Sequence, residues 1–313
     1  MIAVVGAGLA GVTAARTLAA AGRAVTLFDK SPRVGGRLAT RRVERPDGTT
    51  VRFDHGCQYL SATGRAFAAE LGRLTAAGVL AEWPDPPAGL PPKAGGKPWL
   101  VAPGGMRSVV EHLAAGLPTR TATAVTRVTF QDHSWTVISN GQAAAAADWL
   151  VLTPPVPQAL RLLFDSGFGL PRDLLWRLRE VEYTRCLTLL AADPRDPRPA
   201  DPTAVEWVAD NHAKGVSPAG PAWTVHFSPA ASEREWDAPA ATLAAAAFTP
   251  VPDGVQLHRW RYCRPLTPYP DRCAAVPDLR LVLAGDGFGT PGGTAETAYL
   301  SGLAAAAAVL EGA

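Results

Sequence analysis

Three glycines near the amino terminus have the spacing that dinucleotide binding requires. Gly6, Gly8 and Gly11 form a GxGxxG pattern, and Asp29 follows at the end of the next predicted strand. The first glycine permits a tight turn, the second lets a pyrophosphate approach the backbone, and the third lets a helix pack on the sheet. The carboxylate of Asp29 is placed to accept hydrogen bonds from ribose hydroxyls. We therefore predict an adenine dinucleotide here; a tight turn in an unrelated βαβ unit is the alternative.

A second glycine-rich turn with one acid lies near the other end of the chain. The stretch LVLAGDGFGTPGG, residues 281–293, is typical of a buried strand that enters a turn containing Asp286. A helix is predicted from about Ala295, and a helix N-terminus favours negative charge. A helix-capping or turn aspartate is the alternative for Asp286. The sequence thus opens and closes on a strand, a glycine turn and a helix.

The elements that must position these turns follow from the hydrophobic pattern. Residues 2–5 and 24–28 read as strands around a helix at 9–21, which makes a βαβ unit. TAVTRVTFQDHSWTVISNG predicts a hairpin or meander that turns at Asn140-Gly141. From about residue 171 to 262 the pattern changes to Trp- and Thr-rich strands such as AVEWVAD, AWTVHF and VQLHRWRY. This change predicts a second, antiparallel layer.

The predicted fold class is α/β, with a discontinuous Rossmann-like domain and an inserted antiparallel-sheet substrate domain. The boundaries assign to the dinucleotide-binding domain residues 1–75, 98–165 and 263–313. The substrate domain takes residues 76–97 and 166–262. The proline-rich stretch from Trp83 to Pro98 predicts a loop between layers.

Composition excludes several classes of function. The 30 basic residues against 28 acidic ones give a formal net charge of +2, so we expect no nucleic-acid partner. The four cysteines have no CxxC spacing and the six histidines are scattered, so we expect no metal site. No apolar run is long enough to span a membrane, and the first predicted strand follows Met1 directly. These features predict a cytoplasmic protein without a membrane partner.

The residues after Asp29 decide between FAD and NAD. Gly35, Gly36 and Arg37, with Thr40, resemble the second glycine motif of the flavin-dependent amine oxidase superfamily, in which an arginine lies near the dinucleotide phosphates. The fork of an arginine suits a phosphate, and paired glycines let a loop pass close to a flavin. A basic surface loop is the alternative. The resemblance implies FAD, bound noncovalently because no cysteine is placed for attachment.

The segment FDHGCQYLSATGRAF, residues 53–67, resembles the renalase branch of that superfamily. The likeness continues through PGGMRSVVEHLA, LTPPVPQALRLL, HRWRY and the closing LAGDGFGTPGGTAETAYLSGLAAAAAVL. It implies that Gln58 and Tyr59 lie beside the isoalloxazine ring, although both also suit an ordinary half-buried strand end. It further implies that the opening unit holds the ADP half and that Asp286 reaches the ribityl and phosphate region.

In such proteins the backbone at Val125 receives the adenine, and the closing helix points its N-terminus at the flavin pyrimidine. One cofactor then explains both glycine turns. The predicted FAD-binding residues are Gly6, Gly8, Ala10, Gly11, Asp29, Lys30, Gly36, Arg37, Gln58, Tyr59, Val125, Gly285, Asp286, Ala295, Glu296 and Ala298.

The same resemblance implies an activity. Renalases oxidise misreduced dihydro isomers of NAD(P)H to NAD(P)⁺ and pass the electrons to O2, which gives H2O2. Monoamine oxidases use a lysine to assist reoxidation, whereas the comparable strand here, VEYTRCLTLLAA, has Arg185 and no lysine. The expected partners are therefore a dihydronicotinamide and O2, and the expected state is a monomer or weak homodimer. An oxidase or desaturase of a small amine or carotenoid-like lipid and a non-catalytic flavoprotein are the alternatives.

Residues of the second layer are the candidates for a substrate cavity, because this layer is expected to cover the flavin. Tryptophan stripes in antiparallel strands also suit a protein core. The loop DNHAKG either reaches a phosphate or is solvated. The candidates are Tyr59, Arg185, Trp207, Asn211, His212, His226 and Trp260.

Overall fold

The computed structural model describes residues 1–45, 47–83, 98–193, 195–199 and 201–312. The proline-rich stretch predicted as a loop lies outside the described residues except at Trp83 and Pro98. The chain divides into two compact units. The first unit comprises Met1–Gly36, Val110–Tyr183 and Arg264–Ala313, and the second comprises Arg37–Val109 and Thr184–Cys263.

The described residues form the following strands and helices, each numbered in chain order. The strands are β1 (Ile2–Val5), β2 (Val25–Phe28), β3 (Thr40–Glu44), β4 (Thr50–Asp54), β5 (Ala81–Glu82), β6 (Leu100–Val101), β7 (Thr119–Arg120), β8 (Val125–Gln131), β9 (Ser134–Ser139), β10 (Gln142–Ala147), β11 (Trp149–Leu152), β12 (Glu182–Tyr183), β13 (Cys186–Ala191), β14 (Val205–Asp210), β15 (Trp223–Phe227), β16 (Gln256–Trp260), β17 (Pro265–Thr267), β18 (Ala274–Val276) and β19 (Leu281–Leu283). The α-helices are α1 (Leu9–Ala20), α2 (Arg65–Ala76), α3 (Arg107–Leu113), α4 (Val156–Asp165), α5 (Arg172–Arg179), α6 (Pro229–Arg234), α7 (Ala240–Ala247) and α8 (Ala295–Glu311).

A mostly parallel sheet forms the centre of the first unit. Among the described residues it has six strands in the order β18-β19-β11-β1-β2-β7. The strands from β19 to β7 run parallel, and β18 pairs antiparallel to β19 at one edge. The inner strands β1, β11 and β19 are buried along their whole length, as their continuous apolar sequences indicate. The predicted Rossmann-like architecture is confirmed.

Two additions complete the first unit. Strands β8, β9 and β10 form an antiparallel meander, and Asn140 and Gly141 have positive φ angles of 51° and 75° at its predicted turn. Helix α8 packs on α1, and Gly302 of α8 lies so close to the carbonyl of Ala10 that no side chain fits between the helices. This packing joins the two ends of the chain within one unit.

An antiparallel sheet forms the centre of the second unit. Its four strands have the order β14-β15-β13-β16, which confirms the predicted antiparallel layer. Leu187, Leu189 and Val225 of this sheet pack against Leu243 and Ala244 of α7 in a buried apolar cluster. The shorter hairpins β3–β4 and β5–β6 belong to the same unit.

The compact units divide the chain differently from the predicted domains. Residues 37–75 and 98–109 were predicted in the dinucleotide-binding domain, but they lie in the second unit. The reason is burial, since Val51 and Phe53 of β4 pack with Leu190 of β13. Residues 166–183 lie instead in the first unit, and its core contains Leu178 and Val181.

Candidate functional site

The carboxyl ends of four strands meet at one edge of the parallel sheet in the first unit. Val5 is paired with Phe28 and with Leu152, and Leu152 is paired with Leu283. The next residue of each strand therefore stands at the same level, namely Gly6, Asp29, Thr153 and Ala284. Such an edge, beyond the carboxyl ends of parallel strands, is where open α/β sheets bind ligands.

The opening glycine turn has a geometry that only glycines permit. Gly6 has a φ of 103°, and a Cβ placed there would lie 2.5 Å from Oγ1 of Thr153. A Cβ on Gly11 would overlap the carbonyl oxygen of Gly6. The amide of Val12 donates to the carbonyl of Gly8, where α1 begins. The turn thus places backbone without side chains, together with the N-terminus of α1, at the sheet edge, as the GxGxxG pattern predicted.

The carboxylate of Asp29 is held against this turn. Its Oδ2 accepts from the amide of Ala7 at 2.7 Å, and its Oδ1 accepts from the amide of Ser31 at 2.8 Å. Each oxygen keeps a further lone pair for a ribose hydroxyl. The backbone carbonyl of Asp29 accepts from the amide of Thr123, two residues before Val125. The neighbouring Lys30 is exposed to solvent.

The second glycine motif lies directly on the first. The amide of Gly35 donates to the carbonyl of Ala7 at 2.9 Å. A Cβ added to Gly36 would lie 3.1 Å from the Cα of Gly8, so the two backbones are in close contact. This cradle of bare backbone, with Asp29 beside it, fits the pyrophosphate and ribose of an adenine dinucleotide.

The closing turn reaches the same edge. Thr153 donates from Oγ1 to the carbonyls of Val5 and Gly6, and a Cβ on Gly285 would lie 3.5 Å from the carbonyl of Thr153. The amide of Gly285 donates to Oγ of Ser301 in α8, which ties the turn to the closing helix. The sequence analysis missed Thr153, whose only signal was its position directly after a buried strand.

Asp286 and the start of α8 complete this turn. Asp286 is buried, and a Cβ on Gly293 would lie 3.0 Å from its Oδ2. Helix α8 begins with a capping box, in which Oγ1 of Thr294 accepts from the amide of Thr297. The predicted cofactor residues Ala295, Glu296 and Ala298 form its first turn.

In the second unit, Arg37 hydrogen-bonds to backbone. Its Nη1 donates to the carbonyl of Cys263 at 3.1 Å and to that of Tyr262 at 3.4 Å. The amide of Cys57 donates to the carbonyl of Arg37 at 2.8 Å. These bonds link the predicted phosphate-binding arginine to the DHGCQY segment and to the end of the HRWRY segment.

A fully buried ion pair lies at the first residue of the DHGCQY segment. Nζ of Lys214 is 3.0 Å from Oδ2 of Asp54, and neither side chain is exposed. Oδ1 of Asp54 accepts from the hydroxyl of Thr40 at 2.6 Å and from the amide of Met106 at 2.8 Å. Both carboxylate oxygens are therefore satisfied, as a buried charge requires. The structure excludes the solvated alternative for Lys214.

The side-chain amide of Gln58 forms hydrogen bonds with both residues of this ion pair. Its Oε1 accepts from Lys214 at 3.3 Å, and its Nε2 donates to the carbonyl of Asp54 at 2.6 Å. Nε2 also lies 3.2 Å from the carbonyl of Gly56 and 3.5 Å from Nε2 of His226. The structure thus brings together two predicted site residues, Gln58 and His226. It adds Asp54 and Lys214, which the predicted site did not include.

Two further histidines flank Trp260. The ring of His55 stacks on that of Trp260 with centroids 5.1 Å apart, and His258 meets both rings edge-on. Burial and the nearby His258 lower the pKa of His55 to about 3. Burial, with a smaller effect of Arg41, lowers the pKa of His258 to about 4. Both rings are therefore neutral at neutral pH, and Nδ1 of His55 has no hydrogen-bond partner among the described residues.

Tyr59 belongs to an aromatic cluster. Its ring centroid is 4.0 Å from that of Trp99 and 5.7 Å from that of Trp207. Trp83 and Trp207 are also neighbours, and their indole N–H groups have no hydrogen-bond partner in the described part of the chain. The cluster is an apolar surface with two indole donors, beside the residue that the resemblance places at the flavin.

Three further predicted substrate residues of the second unit contact other protein groups. Arg185 pairs with Glu233 at 3.2 Å and lies over the ring of Trp236. His212 is exposed, and its Nδ1 is 2.7 Å from the carbonyl of Ser217. Asn211 is fully buried, and its amide is used by protein groups, including the backbone amide of Asp54. That these three residues line a substrate cavity stays a prediction.

Neither a group of metal-ligating side chains nor a membrane-spanning helix is present in the described ranges of the chain. In residues 1–45, 47–83, 98–193, 195–199 and 201–312, no group of His, Cys, Asp or Glu side chains is arranged to hold a metal ion. Over the same ranges, no helix is long and apolar enough to cross a membrane.

Comparisons with known proteins agree with this geometry. Residues 4–71 match the family described as NAD(P)-binding Rossmann-like domain, and residues 92–310 match the family described as Flavin containing amine oxidoreductase. A crystal structure from Exiguobacterium sp. 255-15, named as a protoporphyrinogen oxidase, superposes with a TM-score of 0.71 over 99% of this chain and 98% of that chain. Its sequence identity of 14% means that it supports the fold alone.

Curated relatives match over parts of their length. Renalase of Mus musculus is 29% identical over 189 residues, which are 58% of this chain and 54% of renalase. Carotenoid phi-ring synthase of Streptomyces griseus is 43% identical over 81 residues, 24% of this chain and 16% of that protein. The L-amino-acid oxidase of Pseudechis australis is 57% identical over 52 residues, 17% of this chain and 10% of that protein. The chain therefore matches about half of renalase and much less of the others.

Proposed function

Because this chain belongs to the family of flavin containing amine oxidoreductases, we propose that it is an FAD-dependent oxidase of misreduced dihydronicotinamide dinucleotides. The family match over residues 92–310 supports the flavin chemistry. The observation that favours this substrate class is the similarity to renalase, which extends over 58% of the chain. The matches to the carotenoid and amino-acid enzymes are confined to 24% and 17% of it.

FAD suits the residues of the first unit. The glycine turn at residues 6–11 would receive the pyrophosphate, Asp29 would accept the ribose hydroxyls, and the backbone near Val125 would receive the adenine. Asp286 and the first turn of α8 would hold the rest of the cofactor. We propose noncovalent binding, since the sequence offers no cysteine for attachment.

When bound, FAD would supply the acceptor for a hydride from the dihydronicotinamide, which leaves as NAD(P)⁺, and O2 would take up the electron pair with one proton from solvent to give H2O2. The chain contributes binding, orientation and exclusion of water. The neutral rings of His55 and His258 add no positive charge near the DHGCQY segment. The aromatic rings of Tyr59, Trp99 and Trp207 offer an apolar face for a planar dihydronicotinamide. The cytoplasmic location and the monomeric or weakly dimeric state remain predictions.

The test of this function is which compound reduces the flavin. We expect anaerobic mixing with borohydride-treated NAD⁺, which contains misplaced dihydro isomers, to bleach the yellow colour quickly. Ordinary NADH should react about a hundredfold more slowly, because a ring seated for transfer from an adjacent carbon holds its usual reactive carbon out of position. Admitting air should restore the colour and produce H2O2.

Benzylamine and carotenoid-like lipids are the comparison compounds in that experiment. Rapid bleaching by either of them, with none by the isomer mixture, would assign the enzyme to the amine or lipid alternative. A flavin that no compound bleaches would instead indicate a non-catalytic flavoprotein.

Asp29→Ala should weaken FAD binding by about 1.5–3 kcal/mol, the usual worth of a hydrogen bond to a charged acceptor. This corresponds to a roughly ten- to hundredfold higher dissociation constant for FAD. The variant should therefore purify with depleted flavin while it stays folded. The measurement is the FAD released by acid precipitation per mole of protein, with wild type as reference. Full occupancy in the variant would contradict our placement of the ribose, and colour left in the wild-type pellet would contradict noncovalent binding.

A further inference from the structure

Lys214 is unusual because its ammonium group lies in the protein interior. The chain has only four lysines against 26 arginines, and the Lys214 side chain is fully buried. Nζ contacts Oδ2 of Asp54, Oε1 of Gln58 and the ring face of Trp83, whose centroid is 5.5 Å away. An ammonium has three N–H groups and no acceptor. Two of the three partners, Gln58 and Trp83, are uncharged side chains, which an ion pair does not need.

The contacts around Gln58 assign its amide unambiguously. The oxygen must face Lys214, because an ammonium can only donate. The nitrogen must face the carbonyls of Asp54 and Gly56, because a carbonyl can only accept. The nitrogen therefore also faces Nε2 of His226, 3.5 Å away. The amide has two N–H groups: one serves the carbonyl of Asp54, and the other is shared between the carbonyl of Gly56 and Nε2 of His226. Since this shared N–H can only donate, it favours the His226 tautomer that has its lone pair on Nε2 and its proton on Nδ1.

We propose that Lys214 is a positioning residue, which holds the Gln58 amide in one of its two orientations and thereby sets the tautomer of His226. Asp54 keeps the ammonium in place, and its own position is set by Thr40 and Met106. The order of dependence runs from the ion pair through Gln58 to His226. Gln58 is 6% exposed and His226 is 8% exposed, so solvent does not substitute for these contacts.

The consequence for catalysis rests on the proposed function. If Gln58 lies beside the flavin, a flipped amide would turn its oxygen toward the carbonyls of Asp54 and Gly56, and the repulsion would displace the side chain from its position at the cofactor. A changed tautomer of His226 would exchange a donor for an acceptor. Lys214 then acts on the reaction through these two side chains and without touching the reacting atoms.

The direct test is the tautomer of His226, read from the ¹⁵N shifts of its ring in the FAD-bound, full-length protein without substrate, at mildly alkaline pH where imidazoles are neutral. We expect the Nδ1–H form in the wild type. Gln58→Glu should convert it to the Nε2–H form, because a carboxylate oxygen replaces the amide nitrogen as the neighbour. Lys214→Met/Asp54→Asn removes both buried charges and should give a mixture of the two tautomers.

The double variant also guards against misfolding, since it leaves no unpaired buried charge. Arg195→Met is the matched control, because it breaks the ion pair with Asp193 in the same unit and should leave the His226 signal unchanged. An unaltered His226 tautomer in the double variant would overturn the proposal, since the two backbone carbonyls alone would then orient Gln58.

Steady-state kinetics of the double variant provide a second test of the positioning role. For any substrate that bleaches the flavin, we expect the double variant to lose kcat by about tenfold or more with a smaller change in KM, as misplacement at a reacting centre does. An unchanged kcat would also contradict a positioning role. If the NMR result holds while the misreduced isomers fail to bleach the flavin, the proposed function fails and the role of Lys214 stands.

Discussion

Lys214→Met is expected to lower the free energy of unfolding by about 3–5 kcal/mol, the usual cost of leaving one partner of a buried ion pair without the other. Asp54 has no exposed surface, so water cannot replace the lost ammonium. Thr40 and Met106 already occupy the other carboxylate oxygen and cannot compensate. The measurement is denaturant unfolding of the FAD-bound protein at neutral pH, with the slope m compared between variants.

Two further variants make this prediction specific. Arg195→Met removes an ion pair whose arginine is 47% exposed, so it should cost only about 0.2–1 kcal/mol. Adding Asp54→Asn to Lys214→Met should recover part of the loss, because the amide oxygen still accepts from Thr40 and Met106 while the charge is gone. A loss below about 1 kcal/mol for Lys214→Met would contradict a buried pair.

The features that the sequence predicted are those that neighbouring residues determine. The strand at residues 2–5, the glycine turn and the helix starting at Leu9 depend on local apolar pattern and on glycine φ angles. The turn at Asn140 depends on two residues that accept positive φ. The sequence predicted that the paired glycines lie close to a flavin, but the close contact of Gly36 with Gly8 was found only in the structure.

The buried network of the second unit could not be predicted in this way. Asp54 and Lys214 are 160 positions apart, and no local pattern states that the two side chains will meet. The loop DNHAKG is polar, and both His212 and Lys214 suit a solvated loop. The structure exposes His212 and buries Lys214, whose ammonium pairs with the buried carboxylate of Asp54. The scarcity of lysine was the one available signal.

The domain boundaries also depend on contacts between distant segments, which local sequence patterns do not predict. The meander and the βαβ unit were assigned by pattern, whereas the hairpin β3–β4 joins the second unit because Phe53 and Val51 find apolar partners there. Which of two cores accepts a hairpin depends on side-chain packing between distant segments. Hydrophobic periodicity predicts that the hairpin has a buried face but does not identify the surface that covers it.

Gly302→Ala should destabilise the protein by about 3 kcal/mol, near the upper end of the range for overpacking a core. A Cβ at this position would overlap the carbonyl oxygen of Ala10 and lie 2.9 Å from Cβ of Thr13. The first of these is backbone in the opening turn of α1, so the conflict cannot be relieved by a side-chain rotation. The two helices must move apart, and the gain of about 1 kcal/mol in helix propensity from glycine to alanine is too small to offset this.

Gly72→Ala is the matched control, because Gly72 also lies inside a helix, α2, but has no atom within 4 Å of its added Cβ. There the same substitution should stabilise the protein by about 0.4–1 kcal/mol through the entropy of the unfolded chain and helix propensity. Denaturant unfolding of both variants therefore tests the sign of the effect as well as its size. Equal stabilisation by both would show that α1 and α8 are not in close contact.

The same variant connects the helix packing with the cofactor. Ala10 follows Gly8 by two residues, and Gly11 is fixed against the carbonyl of Gly6, so a displaced first turn of α1 distorts the predicted pyrophosphate cradle. We therefore expect Gly302→Ala to purify with less FAD than Gly72→Ala, measured as flavin released per mole of folded protein. Loss of stability without loss of flavin would mean that α8 moves alone, and the first turn of α1 keeps its place on the sheet.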